Sequence, residues 1–321
     1  MTPRSLQLLQ QLTAARASRP ESHREDTGCG SGPHAPPRSR PAGGQDARAA
    51  CRHGGEVDSA ERRVDNAWAA VEDPQLERVR AYWERIGRAA PYWGVLTERK
   101  YAGRALPAQA AREFWLSGAT EVELFEQLVV RHAGVGLDDL RRVGPFVELG
   151  CGVGRIARHM ATRCHKLVCV DIAPAYIALL EENMKSMGVG NCVAVLLDQL
   201  GSLKDEELFQ ETGGAGFIFS LLTLQHNPPR VMKQCVRILC TLLAPGGIAI
   251  LHAPCFIPNH VFRDEAVMQM NFVPRDEMER CILGSNGCVL LHATNDLDRC
   301  GGNIENTLYV IRKEEVALAP S

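Results

Sequence analysis

The sequence lacks any apolar run that approaches the roughly 20 residues needed to cross a bilayer, so we expect no membrane partner. It also lacks an excess of charge: 36 basic and 38 acidic residues leave a net charge of −2, which gives no electrostatic basis for nucleic acid as a partner. Its twelve cysteines include no C-x-x-C pair. Several of them fall inside apolar runs, which favours buried, reduced thiols over a disulfide framework or a metal site.

Large apolar residues are almost missing from Thr27 to Gly55, which is rich in Gly, Pro, Ser and Arg. Such a segment cannot bury enough surface to order itself, so we predict that residues 1–60 are disordered or serve targeting. Residues 1–20 contain three arginines, no acids and spaced leucines, a composition compatible with an organelle transit peptide. We expect a cytoplasmic protein, or an organellar one if this segment is a transit peptide.

A glycine-rich turn is the most informative part of the chain. The apolar run Phe146 to Leu149 ends in three glycines separated by single residues, Gly150, Gly152 and Gly154, and an amphipathic run follows. This pattern predicts a strand, a turn and the start of a helix. Glycine permits positive φ and close approach of a ligand to the backbone. The helix N-terminus offers N–H groups to polar parts of that ligand.

A second apolar run points to the nature of the ligand. It extends from Leu167 to Val170 and ends in Asp171, twenty-one residues after Gly150. An acidic residue about 20 residues beyond the glycines, at the tip of the second strand, suits ribose hydroxyls. The sequence therefore predicts a site for a nucleoside.

The letters of the turn narrow the choice of nucleoside. The segment E-L-G-C-G-V-G-R, residues 148–155, differs from the dinucleotide fingerprint G-x-G-x-x-G. It resembles motif I of the class I S-adenosyl-L-methionine (SAM) methyltransferases. Together with P-Y-W-x-V-L-T at 91–97 and F-W-x-S-G at 114–118, it resembles a group of mostly bacterial members whose acceptors are mostly unassigned. The resemblance is good over 148–312 and looser before it.

The resemblance implies an α/β fold: a seven-stranded, mostly parallel sheet with an antiparallel last strand and helices on both faces. It also implies SAM as the cofactor. Asp198 resembles the motif II acid that receives the adenine amino group, and Gln225 resembles part of a pair often found after the fourth strand. The predicted cofactor-binding residues are Glu148, Gly150, Cys151, Gly152, Gly154, Arg155, Asp171, Ile172, Asp198, Gln199, Ser220 and Gln225.

His226 is the candidate catalytic residue, because an imidazole titrates near neutral pH and can act as a general base. It could equally orient its loop or contact the methionine end of SAM. The segment Asn227-Pro-Pro-Arg230 is similar to the N-P-P-aromatic motif of amino-methyltransferases but lacks the aromatic residue. Asn227 as a helix cap, with Pro228 as the first helical residue, explains the same letters.

The aromatic residues before the first strand allow two interpretations. Periodicity predicts helices over 75–88 and 121–132, near the tryptophan-containing motifs. As a lid, this region would supply Tyr92, Trp93 and Trp115 to an acceptor pocket. Alternatively, these side chains attach a helical extension to the core.

We therefore expect an N-terminal helical lid over 61–140, a SAM-binding methyltransferase domain over 141–315 and a tail over 316–321. The predicted function is methyl transfer to a small-molecule acceptor. One alternative is a protein or nucleic-acid methyltransferase. Another is a nucleoside-binding protein without transferase activity, or an oxidoreductase, which the G-x-G-x-G spacing disfavours.

Overall fold

The computed structural model describes residues 74–197, 209, 212–262, 269–285, 287–296, 300 and 304–314. The predicted disordered or targeting segment 1–60 and the tail 316–321 lie outside these residues. So do two of the predicted cofactor-binding residues, Asp198 and Gln199.

Seven strands form one sheet in the order β3-β2-β1-β4-β5-β7-β6. All neighbours are parallel except β7, which runs antiparallel to both β5 and β6. This confirms the predicted fold class, including the antiparallel last strand. The strands are β1 Phe146–Leu149, β2 Leu167–Asp171, β3 Cys192–Leu196, β4 Ala215–Ser220, β5 Leu243–Phe256, β6 Cys288–Asn295 and β7 Glu305–Lys313.

Helices cover both faces of the sheet. Successive residues of β1 alternate between two buried apolar clusters, Phe146 in one and Val147 in the other, as expected for a strand buried on both sides. The α-helices whose bounds lie within the described residues are α1 Pro74–Ala89, α2 Pro91–Val95, α3 Ala108–Ala133, α4 Leu137–Val143, α5 Ala157–Met160, α6 Pro174–Ser186, α7 Pro229–Leu242 and α8 Arg275–Leu283. Among the helices described, none combines the length and apolar character that crossing a bilayer requires.

Helix α3 is longer than the periodicity predicted. It begins directly after Pro107 rather than near Glu121, and it ends at Gly134, whose φ of 73° gives a left-handed cap. The motif F-W-x-S-G consequently lies inside the helix. Gly118 is a weak helix former, but its packing against the core outweighs that local preference.

The chain leaving β4 also differs from the prediction. A 3₁₀ turn, Leu224–His226, follows the strand, and α7 begins at Pro229 with Pro228 at the cap position. The interpretation of Asn227 as the cap of this helix is therefore wrong. Its side-chain amide instead donates hydrogen bonds to the carbonyls of Thr223 and Leu224, at 3.2 and 3.3 Å, and so closes the preceding turn.

Candidate functional site

A cavity of about 900 Å³ lies at the carboxyl ends of β1 to β4. This volume includes space that is open to solvent. Open α/β sheets bind ligands at this edge. Eight of the residues predicted from the sequence line it: Glu148, Gly150, Cys151, Gly152, Arg155, Asp171, Ile172 and His226.

The three glycines of the turn all have positive φ, which L side chains rarely adopt: 81° at Gly150, 51° at Gly152 and 88° at Gly154. A Cβ atom at Gly152 would lie 2.8 Å from Cγ2 of Val95 in α2. Gly154 does not line the cavity, because it lies against α6, where a Cβ would lie 2.6 Å from Cε of Met184. The first two glycines thus shape the cavity, and the third allows helix packing.

Asp171 is fixed at the end of β2 by two backbone donors. The N–H of Gly152 donates to its Oδ2 at 2.9 Å, and the N–H of Ala173 donates to its Oδ1 at 3.0 Å. Burial raises the pKa of Asp171 to about 6, although these backbone hydrogen bonds oppose the shift. At neutral pH the carboxylate is ionised, and each oxygen retains a lone pair for a hydroxyl in the cavity.

Glu148 brings a second buried carboxyl group to the cavity. Its Oε2 atom is buried and has no hydrogen-bond partner among the described residues. Burial holds the pKa of Glu148 well above its usual range, while the Arg155 guanidinium lowers it and Asp171 raises it. A cationic group of a ligand would therefore stabilise the ionised form of this side chain.

Arg155 is also buried, and two residues from the N-terminal part of the chain contact its guanidinium. Its Nη1 donates to Oγ of Ser117 at 3.1 Å and lies 3.8 Å from Oε1 of Glu121. Both partners project from α3, one helical turn apart. Sequence analysis missed these two residues as parts of the site, although the motif F-W-x-S-G contains Ser117.

Two predicted cofactor-binding residues lie outside the cavity and make hydrogen bonds that connect the segments around it. Ser220 does not line the cavity; its hydroxyl donates to the carbonyl of Leu149 at 3.0 Å and ties β4 to β1. Gln225 also does not line the cavity, and its backbone carbonyl accepts a hydrogen bond from the N–H of Asn271 at 2.7 Å. Its Oε1 is buried without a hydrogen-bond partner among the described residues.

His226 reaches the cavity from the 3₁₀ turn after β4. Its Nδ1 is buried and has no hydrogen-bond partner in the described part of the chain. Burial lowers the pKa of His226 to about 4, so the imidazole is neutral at pH 7 and can accept a hydrogen bond at its unprotonated ring nitrogen. Nearby, Leu222 has a φ of 58°, a strained conformation for a non-glycine residue of the kind that concentrates at functional sites.

The three aromatic residues predicted to contact the acceptor do not line this cavity. Tyr92 and Trp115 each pack edge-on against Phe114, with 5.2 Å between ring centroids. Trp93 packs at the edge of the same buried core. The tryptophan that does line the cavity is Trp83 of α1, which sequence analysis did not select, although its helical spacing placed it on the apolar face.

The first two helices are attached to the site by specific contacts. Oε2 of Glu84 in α1 accepts a hydrogen bond from the N–H of Ala175 at 2.7 Å, at the start of α6. The hydroxyl of Tyr176 donates to the carbonyl of Pro91 at 3.1 Å. Together with Val95 over the glycine turn, these contacts place α1 and α2 across the cavity.

Residues 146–247 match the protein family described as "Methyltransferase domain". A comparison with curated proteins gave no match.

Three solved structures illustrate the similarity of the fold. Magnesium protoporphyrin IX methyltransferase from Synechocystis PCC 6803 with bound SAM is 17% identical, with 76% of this chain and 99% of that chain covered and a TM-score of 0.48. The CcbJ methyltransferase from Streptomyces caelestis is 16% identical, with 55% of this chain and 95% of that chain covered and a TM-score of 0.41. The (4+2)-cyclase SpnF is 13% identical, with 73% of this chain and 96% of that chain covered and a TM-score of 0.48. At these values the similarities carry no conclusion about the reaction.

Proposed function

We propose that this chain, which carries a class I SAM-dependent methyltransferase domain, transfers the methyl group of SAM to a small-molecule acceptor. The observation that carries the proposal is the position of α1 and α2 across the cavity. Val79, Trp83 and Val95 are part of its wall, so an acceptor must fit beneath these helices beside the cofactor. A folded protein surface or a nucleic-acid duplex is too large for such a space, which favours a small molecule.

The residues of the cavity suit the chemical groups of SAM. We assign the ribose hydroxyls to Asp171, whose two oxygens each retain accepting capacity. The methionine part would lie along Gly150 and Gly152, where its ammonium group would meet the buried Oε2 of Glu148. An ammonium beside a buried carboxyl would keep that carboxyl ionised.

When bound, SAM supplies an electrophilic methyl group on a sulfonium centre. The chain's own task is then to position the acceptor and to exclude water. Trp83 fits the second task because an aromatic wall is apolar and its face attracts a cation. We assign His226 as the group that accepts a hydrogen bond from a hydroxyl acceptor and takes its proton as the oxygen is methylated, since its imidazole is neutral and its Nδ1 is without a hydrogen-bond partner among the described residues.

The experiment that tests this proposal incubates the purified chain with methyl-labelled SAM and a cell extract. The products are then separated into small-molecule, protein and nucleic-acid fractions. We expect label only in the small-molecule fraction. At a SAM concentration well below saturation, the amount of label should fall about tenfold or more with Asp171→Ala. Label in protein or nucleic acid would overturn the choice of acceptor class. A chain that binds SAM but labels no fraction would favour a nucleoside-binding protein without transferase activity.

A further inference from the structure

We propose that Ser117 and Glu121 of α3 are positioning residues that aim the guanidinium of Arg155 at the carboxylate of SAM. This inference rests on SAM as the cofactor under the proposed function, but not on the acceptor. It gives the motif F-W-x-S-G, which lies outside the methyltransferase family match, a role in the cofactor site.

The motif fixes α3 against the backbone that follows the glycine turn. A Cβ atom at Gly118 would overlap the carbonyl oxygen of Arg155, so only glycine allows the helix to approach this closely. One turn earlier, the N–H of the His159 ring donates from Nε2 to the carbonyl of Trp115 at 2.7 Å. The guanidinium of Arg158 lies 5.2 Å from the centroid of the Trp115 ring. These contacts set the register of α3 relative to α5.

That register places two side chains of α3 on the Arg155 guanidinium. The Ser117 hydroxyl donates its proton to the carbonyl of Phe114 at 2.6 Å, so its lone pairs are directed away from its own helix. One of them accepts from Nη1 of Arg155 at 3.1 Å. Glu121, four residues further along the same face, lies 3.8 Å from the same nitrogen, which is close enough to favour one orientation of the charge.

The charges of the cavity indicate which chemical group of SAM the Arg155 guanidinium binds. Of the described residues that line the cavity, Arg155 is the only one with a positively charged side chain at pH 7, and Glu148 and Asp171 are the acidic ones. SAM carries an ammonium, a sulfonium and a carboxylate. The two acids suit the ammonium and the ribose hydroxyls, which leaves the carboxylate for Arg155. Arginine presents planar N–H donors that match a carboxylate in two-point geometry, and burial strengthens such a contact.

Calorimetric binding of two nucleosides tests the proposal. SAM and methylthioadenosine share the adenosine and the sulfur, but methylthioadenosine lacks the amino-acid part. Arg155→Met should weaken SAM at least about tenfold, and Ser117→Ala should weaken it about threefold to tenfold. Neither change should alter the affinity for methylthioadenosine. Glu121→Gln should act in the same direction as Ser117→Ala. In an Arg155→Met background, Ser117→Ala should have no further effect on SAM, because the group it positions is gone.

Matched variants separate positioning from folding. Ser117→Thr keeps the hydroxyl and should restore SAM affinity. Ser186→Ala removes another serine that donates to the carbonyl three residues earlier, here at 2.8 Å on the exposed end of α6, and should leave both affinities unchanged. Equal weakening of SAM and methylthioadenosine by Ser117→Ala would give α3 a purely structural role and overturn the proposal. A wild-type chain that binds neither nucleoside would overturn the cofactor as well, whereas binding without label transfer would affect the proposed function alone.

Discussion

The imidazole of His226 lies edge-on against the indole of Trp83, with 5.0 Å between the ring centroids. The two residues come from different parts of the chain: Trp83 from α1 and His226 from the turn after β4. Both line the cavity. Their contact therefore joins the N-terminal helices to the one imidazole among the described residues that line the cavity, and it gives a direct optical means to observe the cavity.

Tryptophan fluorescence should respond to SAM through Trp83. In the wild type we expect the emission to change when SAM binds, because the ligand would enter the cavity that this indole lines. Trp83→Phe should abolish most of that change. Trp93→Phe is the matched control, since Trp93 does not line the cavity, and it should retain the change. If the response were lost in Trp93→Phe and kept in Trp83→Phe, Trp93 and not Trp83 would be the tryptophan beside the bound ligand, as the sequence predicted.

Glu84 should stabilise the attachment of α1 through the start of α6. Glu84→Ala removes the acceptor for the Ala175 N–H, a contact of the helix-capping kind, so the free energy of unfolding in urea should fall by about 0.5–2 kcal/mol. Arg88→Ala is the control, because it removes only the exposed ion pair with Glu84, where the arginine side chain is 73% exposed; such pairs contribute about 0–1 kcal/mol. An equal loss in both variants would show that the ion pair, and not the cap, holds the helix.

Asp171 should make the stability of the protein without ligand depend on pH. Burial raises its folded-state pKa from 3.8 to about 6, so the folded state binds the proton more tightly than the unfolded chain does. This contribution is fully present below pH 4 and is lost as the pH rises through 6. Two pKa units correspond to about 3 kcal/mol.

The comparison with Asp171→Asn isolates this contribution. Between pH 4 and 6.5, the free energy of unfolding of the wild type should fall relative to that of the variant, which has no carboxyl group to titrate. The measurement is urea unfolding at half-unit pH steps. Parallel curves for the two proteins would mean that the carboxyl group has an ordinary pKa in the folded state.

Gly152 should be essential for the cofactor and dispensable for the fold of the remaining chain. Gly152→Val puts a branched side chain where φ is 51° and where Val95 leaves no room, so SAM binding should weaken by at least tenfold, more than about 1.4 kcal/mol. The control is Gly188→Val, which has a similar strain at φ 70° but no atom within 4 Å of a new Cβ. It should bind SAM normally, although it is less stable. Equal SAM affinity in Gly152→Val and the wild type would show that SAM does not bind at this turn.

Local patterns predicted the part of the site that local backbone builds. The glycine turn and Asp171 follow from short apolar runs and their spacing, since strand ends in a parallel sheet meet at one edge. The seven-stranded sheet was implied by the resemblance to the methyltransferases. The role of Trp83 did not follow, because its place depends on how α1 docks through Glu84 and Ala175, 91 residues apart. The contact between Ser117 and Arg155 spans 38 residues and was hidden for the same reason.

The central claim is that the cavity at the glycine turn binds SAM. Calorimetric titration of the wild-type chain with SAM, and separately with NAD and NADP, tests it most directly. We predict one saturable site for SAM, weakened at least about tenfold by Asp171→Ala because a carboxylate contact to hydroxyl groups contributes about 1.5–3 kcal/mol. NAD and NADP should give no binding heat. Saturable binding of NAD or NADP without binding of SAM would contradict the claim.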